Sequence, residues 1–297
     1  MRSLISYFTR RDSVKILISH LTRMEKGYLC AAGIDIESGA QVRPVLEGKR
    51  LTSGLHARNG GPFDIGAVVD LGRTAPVGSP PAVEDLLFAP SDARRTHNVR
   101  ASEFWSSIQS QTRTGLRDIF GPDLRTEGRT CVVDLGKGRA SLGYLKSPLT
   151  PQLILDDSGK LRVLFSDGEF ECSSSLTDIR FYEEDHATLR PGVFSWVSSR
   201  MSAGAILAVG LTRPYARPGE PKSYHWLQVN NIHLQAAPLW TSENANEGGE
   251  WSDEEDKRLA AAFRRGAAVA DLATSFERQP AAIRSRLHSL GLCKDGG

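Results

Sequence analysis

The chain lacks most signatures by which an enzyme declares itself. Its 297 residues contain no G-x-x-x-x-G-K-[S/T] loop, no G-x-G-x-x-G turn, no H-E-x-x-H helix and no G-x-S-x-G elbow. The four cysteines, Cys30, Cys131, Cys172 and Cys293, form no C-x-x-C pair and have no histidine at zinc-ligand spacing, so they read as free thiols in a reducing compartment. No window approaches the ~20 apolar residues a membrane helix needs. The opening MRSLISYFTRRDS has neither a long apolar run nor a small-residue cleavage site, so it does not read as a signal peptide. A cytoplasmic location is expected. Acids are present but not clustered for metal chemistry. Asp35, Asp64 and Asp70 each sit beside a turn, where Asp is common for backbone reasons, and Asp156-Asp157 and Glu183-Glu184-Asp185 are adjacent runs. The expectation is no enzyme, no metal and no cofactor. Net charge is only +2, so the chain as a whole does not announce a polyanionic partner.

What the chain does have is a distinctive end. Residues 251–292 read WSDEEDKRLAAAFRRGAAVADLATSFERQPAAIRSRLHSLGL. Ser252 with Glu255 makes a capping box, Trp251 a staple, and four acids (Asp253 to Asp256) fill the first turn, where the helix dipole favours negative charge. Leu259 and Phe263 recur at helical spacing before Gly266. A short second helix carries Val269, Leu272, Ala273 and Phe276. After Glu277-Arg278-Gln279, Pro280 opens a third helix with Ile283, Leu287 and Leu290 on one face. Three short helices with a tight turn before the last follow the helix-turn-helix plan. The polar face of the last helix, Arg284, Ser285, Arg286 and His288, with Arg278 and Gln279 just before it, is the expected DNA contact. The bland alternative is a trihelix for protein contacts. Residues 241–250, TSENANEGGE, read as a linker.

Residues 14–240 read as short strands split by Gly, Pro and Asn turns, the pattern of small barrels. VKILISH, YLCAAGIDI, QVRPVL and AVVDLGR are strands. PAVEDLLFAPSD is a short helix or turn. HNVRASEFWSSIQSQTRTGLRDIFG is the one long helical stretch, with Ser102 as cap. The β pattern then resumes, with a hairpin at Asp167-Gly168, and ends in AILAVGL and HWLQVNNIHL. Residues 16–23, ILISHLTR, are echoed by 206–213, ILAVGLTR.

Two resemblances follow from these residues. Through W-S-x-E-E-D, G-x-x-V-x-x-L-A and A-I-R-S-R-L-x-x-L-G-L, the tail resembles the Myb/SANT-like helix-turn-helix module of many bacterial proteins. It departs in Gln279, which replaces the Ser or Thr that caps the third helix. Through ILISHLTRMEKGYLCAAGID, R-P-V-L and AILAVGLTRP…HWLQVNNIHL, the body resembles bacterial dual-OB-domain proteins. That resemblance implies two OB-like β-barrels packed together; an SH3-like pair produces the same pattern. The expected organisation is a lead-in (1–13), barrel 1 (14–125), barrel 2 (126–240), linker (241–250) and helical module (251–292), in a mainly β fold with a small all-α domain.

OB barrels hold single strands with a basic groove and aromatic stacking platforms. The candidate barrel ligand-binding residues are Arg23, Arg43, Arg213, Tyr215, Lys222, Tyr224 and Trp226, aromatics interleaved with cations. For Trp226 barrel closure competes with stacking, and for Arg23 and Arg213 a structural salt bridge competes with ligand contact. Gln228 and Asn230 share a strand face and either read base edges or satisfy buried backbone. The predicted function is nucleic-acid binding, duplex DNA at the helical module and single strand or a partner at the barrels. A protein adaptor in a mobile-element, defence or repair setting, and a metal-dependent nuclease, are the alternatives.

Overall fold

The computed structural model describes residues 13–190, 192–217, 219, 221–235, 239–241, 251, 253–276, 278 and 280–292. Most of the lead-in and the linker, Ser252, Gln279, Cys293 and the side chain of Ser285 therefore lie outside the described residues. The fold is mainly β. The first half contains β1 (Lys15–Arg23), β2 (Tyr28–Asp35), β3 (Gln41–Val45), β4 (Leu51–Thr52), β5 (Ala67–Asp70), β6 (Ala75–Pro76), β7 (Asp85–Leu87) and β8 (Arg94–Asn98). Then come α1 (Ala101–Ser110), β9 (Thr112–Arg113), α2 (Leu116–Phe120), β10 (Arg125–Glu127), β11 (Thr130–Val133), β12 (Leu142–Leu145), β13 (Gln152–Leu155), β14 (Leu161–Ser166), β15 (Glu171–Ser175), α3 (Val193–Arg200), β16 (Ala205–Leu211) and β17 (His225–Leu234). The tail carries α4 (Asp253–Arg264), α5 (Val269–Ser275) and α6 (Pro280–Ser289).

One sheet runs β6-β7-β3-β2-β1-β5-β8 with β4 on β2, a second runs β10-β11-β17-β16-β12-β9, and β13-β14-β15 form a third. The echoed segments occupy like positions: β1 and β16 are both interior strands, almost wholly buried, each paired with a hairpin neighbour and slipping register near its middle. Burial on both faces is why these stretches read as near-continuous apolar runs. Gly33 sits opposite the β1 slip, where a Cβ would run into the Leu17 carbonyl. The hairpin expected at Asp167-Gly168 forms between β14 and β15. Its Asp167 carboxylate accepts from the N–H groups of Glu169 and Phe170, and Gly168 takes φ +94°.

Three local expectations are corrected. PAVEDLLFAPSD yields strand β7, paired in parallel with β3, instead of a helix. The single long helix is two short ones separated by β9, and His97-Asn98 before it belongs to β8. Arg100 and not Ser102 holds the cap position, its N–H donating to Glu103. The boundary expected at residue 125 is also crossed, because β9 pairs with β12 and Leu116, Ile119 and Phe120 sit in the second core.

The two halves share buried groups. Tyr144, Ile179, Ile206 and Ala208 belong to the first core although they come from the second half. β1 lies beside β17, and the Asn231 amide brackets β1: its Oδ1 accepts from Leu21 N at 2.8 Å and its Nδ2 donates to Leu21 O at 3.1 Å. His233 Nε2 bonds Ser19 O at 2.8 Å, and Ser19 Oγ bonds the Tyr144 hydroxyl. Arg180, 1% exposed, is saturated: it pairs bidentately with Asp178 (2.9 and 2.6 Å), donates to Trp240 O and Ile232 O, and lies 3.8 Å over the Trp240 ring. Arg180→Ala strands a buried carboxylate and is expected to lower unfolding stability by about 3–5 kcal/mol. Asn231→Ala leaves two backbone groups unmet, at about 1–3 kcal/mol each. Urea denaturation of both variants checks these values.

Candidate nucleic-acid interface

The expected barrel residues fall into three separate places. Arg43, buried, donates Nε to Asp85 at 2.6 Å, and the same carboxylate accepts from Arg213 at 2.6 Å. Arg43 is opposite Asp85 across β3 and β7, so strand register delivers the pair. Both arginines are thus tied into a joint between the halves, which neighbouring Glu84 extends by accepting from Ser141 and Leu142. Tyr224 and Trp226 are buried with Val132 in a satellite cluster. Arg217 lies 3.5 Å over the Trp226 ring, and Arg125 4.9 Å over Tyr224. Trp226, 2% exposed, closes the barrel, and only Tyr215 and Lys222 at its rim are exposed. The amides of QVNN are consumed internally, with Gln228 donating to Asn230 and Asn230 to His20 Nδ1.

Arg23 leads to the third place, the densest collection of charged and titratable groups in the body. It leaves β1 half-buried, stacks 3.9 Å over the Tyr182 ring and donates to His186 O at 2.7 Å. Tyr182 sits after a one-turn 3₁₀ helix, 179–181, capped by Asp178, and its carbonyl accepts from Arg190 Nε at 2.7 Å and from Arg58 at 3.4 Å. Arg58 follows buried His56 in a tight loop of two 3₁₀ turns. Arg95 on β8 donates to Pro62 O across that loop. Beside it an open cavity of about 400 Å³ is lined by Ala57, Gly60, Gly61, Pro62, Ala93, Arg94 and Arg95. Four arginines and two histidines from well-separated segments thus meet around Tyr182, with Asp64, Glu183 and Glu184 as the neighbouring acids.

The field there is positive. Burial, then Arg58, His186, Arg190 and Arg95, push His56 down to about 3. Burial and Arg190 bring Arg58 down to about 10 against the pull of the three acids. Crowded cations with displaced titration mark functional sites more often than structural ones. Spacing in the sequence gives no hint of it, because the contributors lie in the 56–58, 95 and 182–190 stretches and join only through the fold.

Over residues 14–232 the chain matches the family model described as the dual OB-containing domain. The chain belongs to that family. No curated protein matches the chain, and no solved structure matches it. OB-type barrels bind nucleic-acid strands or partners in general, and this family member presents its exposed cations at one site in the first half. Among the described residues no helix is long and apolar enough to cross a membrane. Asp35, Asp64 and Asp70 are each engaged in local hydrogen bonds, the first two with turn backbone and Asp70 also with Arg94.

In the tail, Leu259, Leu272, Ala273, Ile283 and Leu287 form a small buried cluster on α4, α5 and α6. Its arginines are not all presented outward as expected. Arg286 grips Asp256 with two bonds of 2.7 and 2.5 Å, and Arg278, buried, pairs with Glu255 at 3.2 Å and stacks 4.1 Å from Trp251. The acidic first turn of α4 captures both. Arg284 and His288 stay exposed.

Three buried rings make the fold acid-sensitive. His20 and His56 are each depressed to about 3, and His233 lies well below its usual value, burial being the main cause in all three. The unfolded chain charges them near pH 6.5, so their stabilising contribution is complete above that pH and lost as pH falls from about 6.5 towards 3. Denaturation at pH 7.5 and 5.0 should show a loss approaching about 1.4 kcal/mol per pH unit per histidine, before carboxylates near pH 4 contribute. His20→Gln should flatten the slope.

Proposed function

We propose that this protein binds nucleic acid, with the arginine cluster around Tyr182 and His56 as its phosphate contact. One observation carries the reading: Arg23, Arg58, Arg95 and Arg190 are gathered around one carbonyl and two neutral histidines, where self-repulsion opposes folding and only an anion relieves it. Structural arginines elsewhere in the molecule are treated differently; Arg180 and Arg43 are each matched to a buried carboxylate. The barrel surface leading from this cluster takes a single strand, with exposed Tyr215 and Lys222 as a second contact region.

The tail adds a helix-turn-helix contact with duplex DNA that rests on exposed Arg284 and His288, a smaller cationic face than the sequence promised. The capture of Arg278 and Arg286 by Glu255 and Asp256 favours a second reading for that module alone, a protein-docking piece tethered to a nucleic-acid-binding body.

Fluorescence anisotropy with a labelled single strand and a labelled duplex, across a salt series, tests this. Affinity for the single strand should fall steeply between 50 and 200 mM salt. Arg58→Ala with Arg95→Ala should weaken binding at least about tenfold and flatten the salt slope by about two contacts. Arg284→Ala should weaken only the duplex. Undiminished single-strand binding by the Arg58/Arg95 double variant would remove the site assignment.

A further inference from the structure

We infer that the cavity between the His56 loop and β8 is a binding site for a phosphate monoester, the terminal phosphate of a strand or of a nucleotide, and not for an internal phosphodiester. The inference rests on the anion site of the proposed function and names its ligand. Its basis is a pair of buried ring nitrogens that no protein group satisfies. His56 Nε2 and His186 Nδ1 have no hydrogen-bond partner, on rings that are 2% and 6% exposed. Buried polar atoms are normally bonded, and an orphan at a cavity points to a missing partner.

The two nitrogens specify that partner. The other ring nitrogen of His186 bonds the Tyr28 backbone. A backbone carbonyl accepts, so in the neutral ring that nitrogen carries the hydrogen and Nδ1 is a lone pair. Nδ1 therefore needs a donor, in a place where Arg23 and Arg58 act on the ring as cations and Asp185 as the acid. His56 is surrounded by Arg58, Arg95, Arg190 and His186, so its partner must also tolerate or supply negative charge. A phosphate monoester meets both demands. It is an anion, and near neutral pH it retains a P–OH in part of the population, since its second pKa is about 6. That hydroxyl donates to Nδ1, or passes its proton to the ring. A phosphodiester is an anion with no proton to give.

Cavity shape agrees. Arg95 both lines the cavity and acts on His56, and Ala57, next to His56, forms part of the wall. The remaining lining is small or aliphatic, Gly61, Pro62 and Ala93 among it, and offers no aromatic face on which a base could stack. Gly61 has no room for a side chain, because a Cβ would strike the Leu55 backbone, so the loop is fixed tight against the wall. The cavity of about 400 Å³ holds a phosphate and part of a sugar.

Two measurements test the inference on the full chain. In the first, anisotropy compares one oligonucleotide sequence bearing a 5′-phosphate, a 3′-phosphate or hydroxyls at both ends. A phosphorylated end should bind about tenfold tighter or better, the effect of one or two charge-assisted bonds. The advantage should grow from pH 8 to pH 6 and vanish in Arg95→Gln, an edge-strand change that spares the core. In the second, thermal unfolding is followed with a nucleoside monophosphate or the bare nucleoside. The monophosphate should raise Tm and the nucleoside should not, with His56→Gln abolishing the shift if it folds and Arg95→Gln reducing it in either case. If strands bind equally with and without terminal phosphate and the monophosphate gives no shift, the inference falls while nucleic-acid binding stands. Should the monophosphate stabilise a protein that binds no strand, the inference stands and nucleic-acid binding falls. If neither ligand acts, both are wrong.

Discussion

The side-chain amide of Asn231 is the clasp on which the body depends. β1 already pairs with β2 and β5, so toward β17 the backbone of Leu21 would be left bare; one amide supplies both an acceptor and a donor to it. His233 and Tyr144 continue the same join at Ser19. Burying polar groups is tolerable only when each is met, and this seam meets nearly all of its own. The consequence is one body rather than two beads on a string, and its charged features are shared property. Arg23 comes from the first half, Tyr182 and Arg190 from the second, and His56, Arg58 and Arg95 from the first again. The site around Tyr182 exists only while the halves are docked.

Arginine serves two ends in this chain, and the partner tells them apart. Arg180 has its charge neutralised by Asp178 and its remaining donors taken by carbonyls, an arrangement that specifies the packing of β17 and the Trp240 region and offers nothing to a ligand. Arg43 and Arg213 share Asp85 in the same spirit. Arg58 is held by a carbonyl and leans against other cations. A guanidinium on a carboxylate is settled, whereas cations crowded on one carbonyl retain an appetite for anions.

Much of the β architecture was legible because the interior strands are buried on both faces, which leaves little room for ambiguity in ILISHLTR or AILAVGL. The turn at Asp167-Gly168 was legible for chemical reasons that survive any context. Short elements were not. β7 is three residues with prolines and a glycine upstream, and its strand state is set by pairing with β3, not by propensity. α3, VFSWVSSR, carries β-branched and aromatic residues that hide its helicity, and its buried Val193 and Val197 are visible as a face only in place. The two helices after β8 merged in the sequence because apolar spacing continues across β9. In the candidate site, Arg23 and the barrel aromatics were named from composition, but His56, Arg58, Arg95 and Arg190 carry no pattern at all. The tail shows the converse failure. Its helices were readable, yet the four acids at the start of α4 were read as helix-dipole partners when two of them also face α6 and the turn before it, and so hold Arg286 and Arg278.

The outermost strand of the first sheet has one further effect. β8 is an edge strand whose backbone groups on the outer side have no sheet neighbour, and it spells Arg-Arg-Thr-His-Asn with four of five residues exposed. A second molecule approaching edge to edge would have to lay its own Arg94 and Arg95 against these, so like charge repels the sheet-to-sheet growth that bare edges invite. The cations nearest the cavity thereby keep the protein soluble at the border where it is most exposed to self-association.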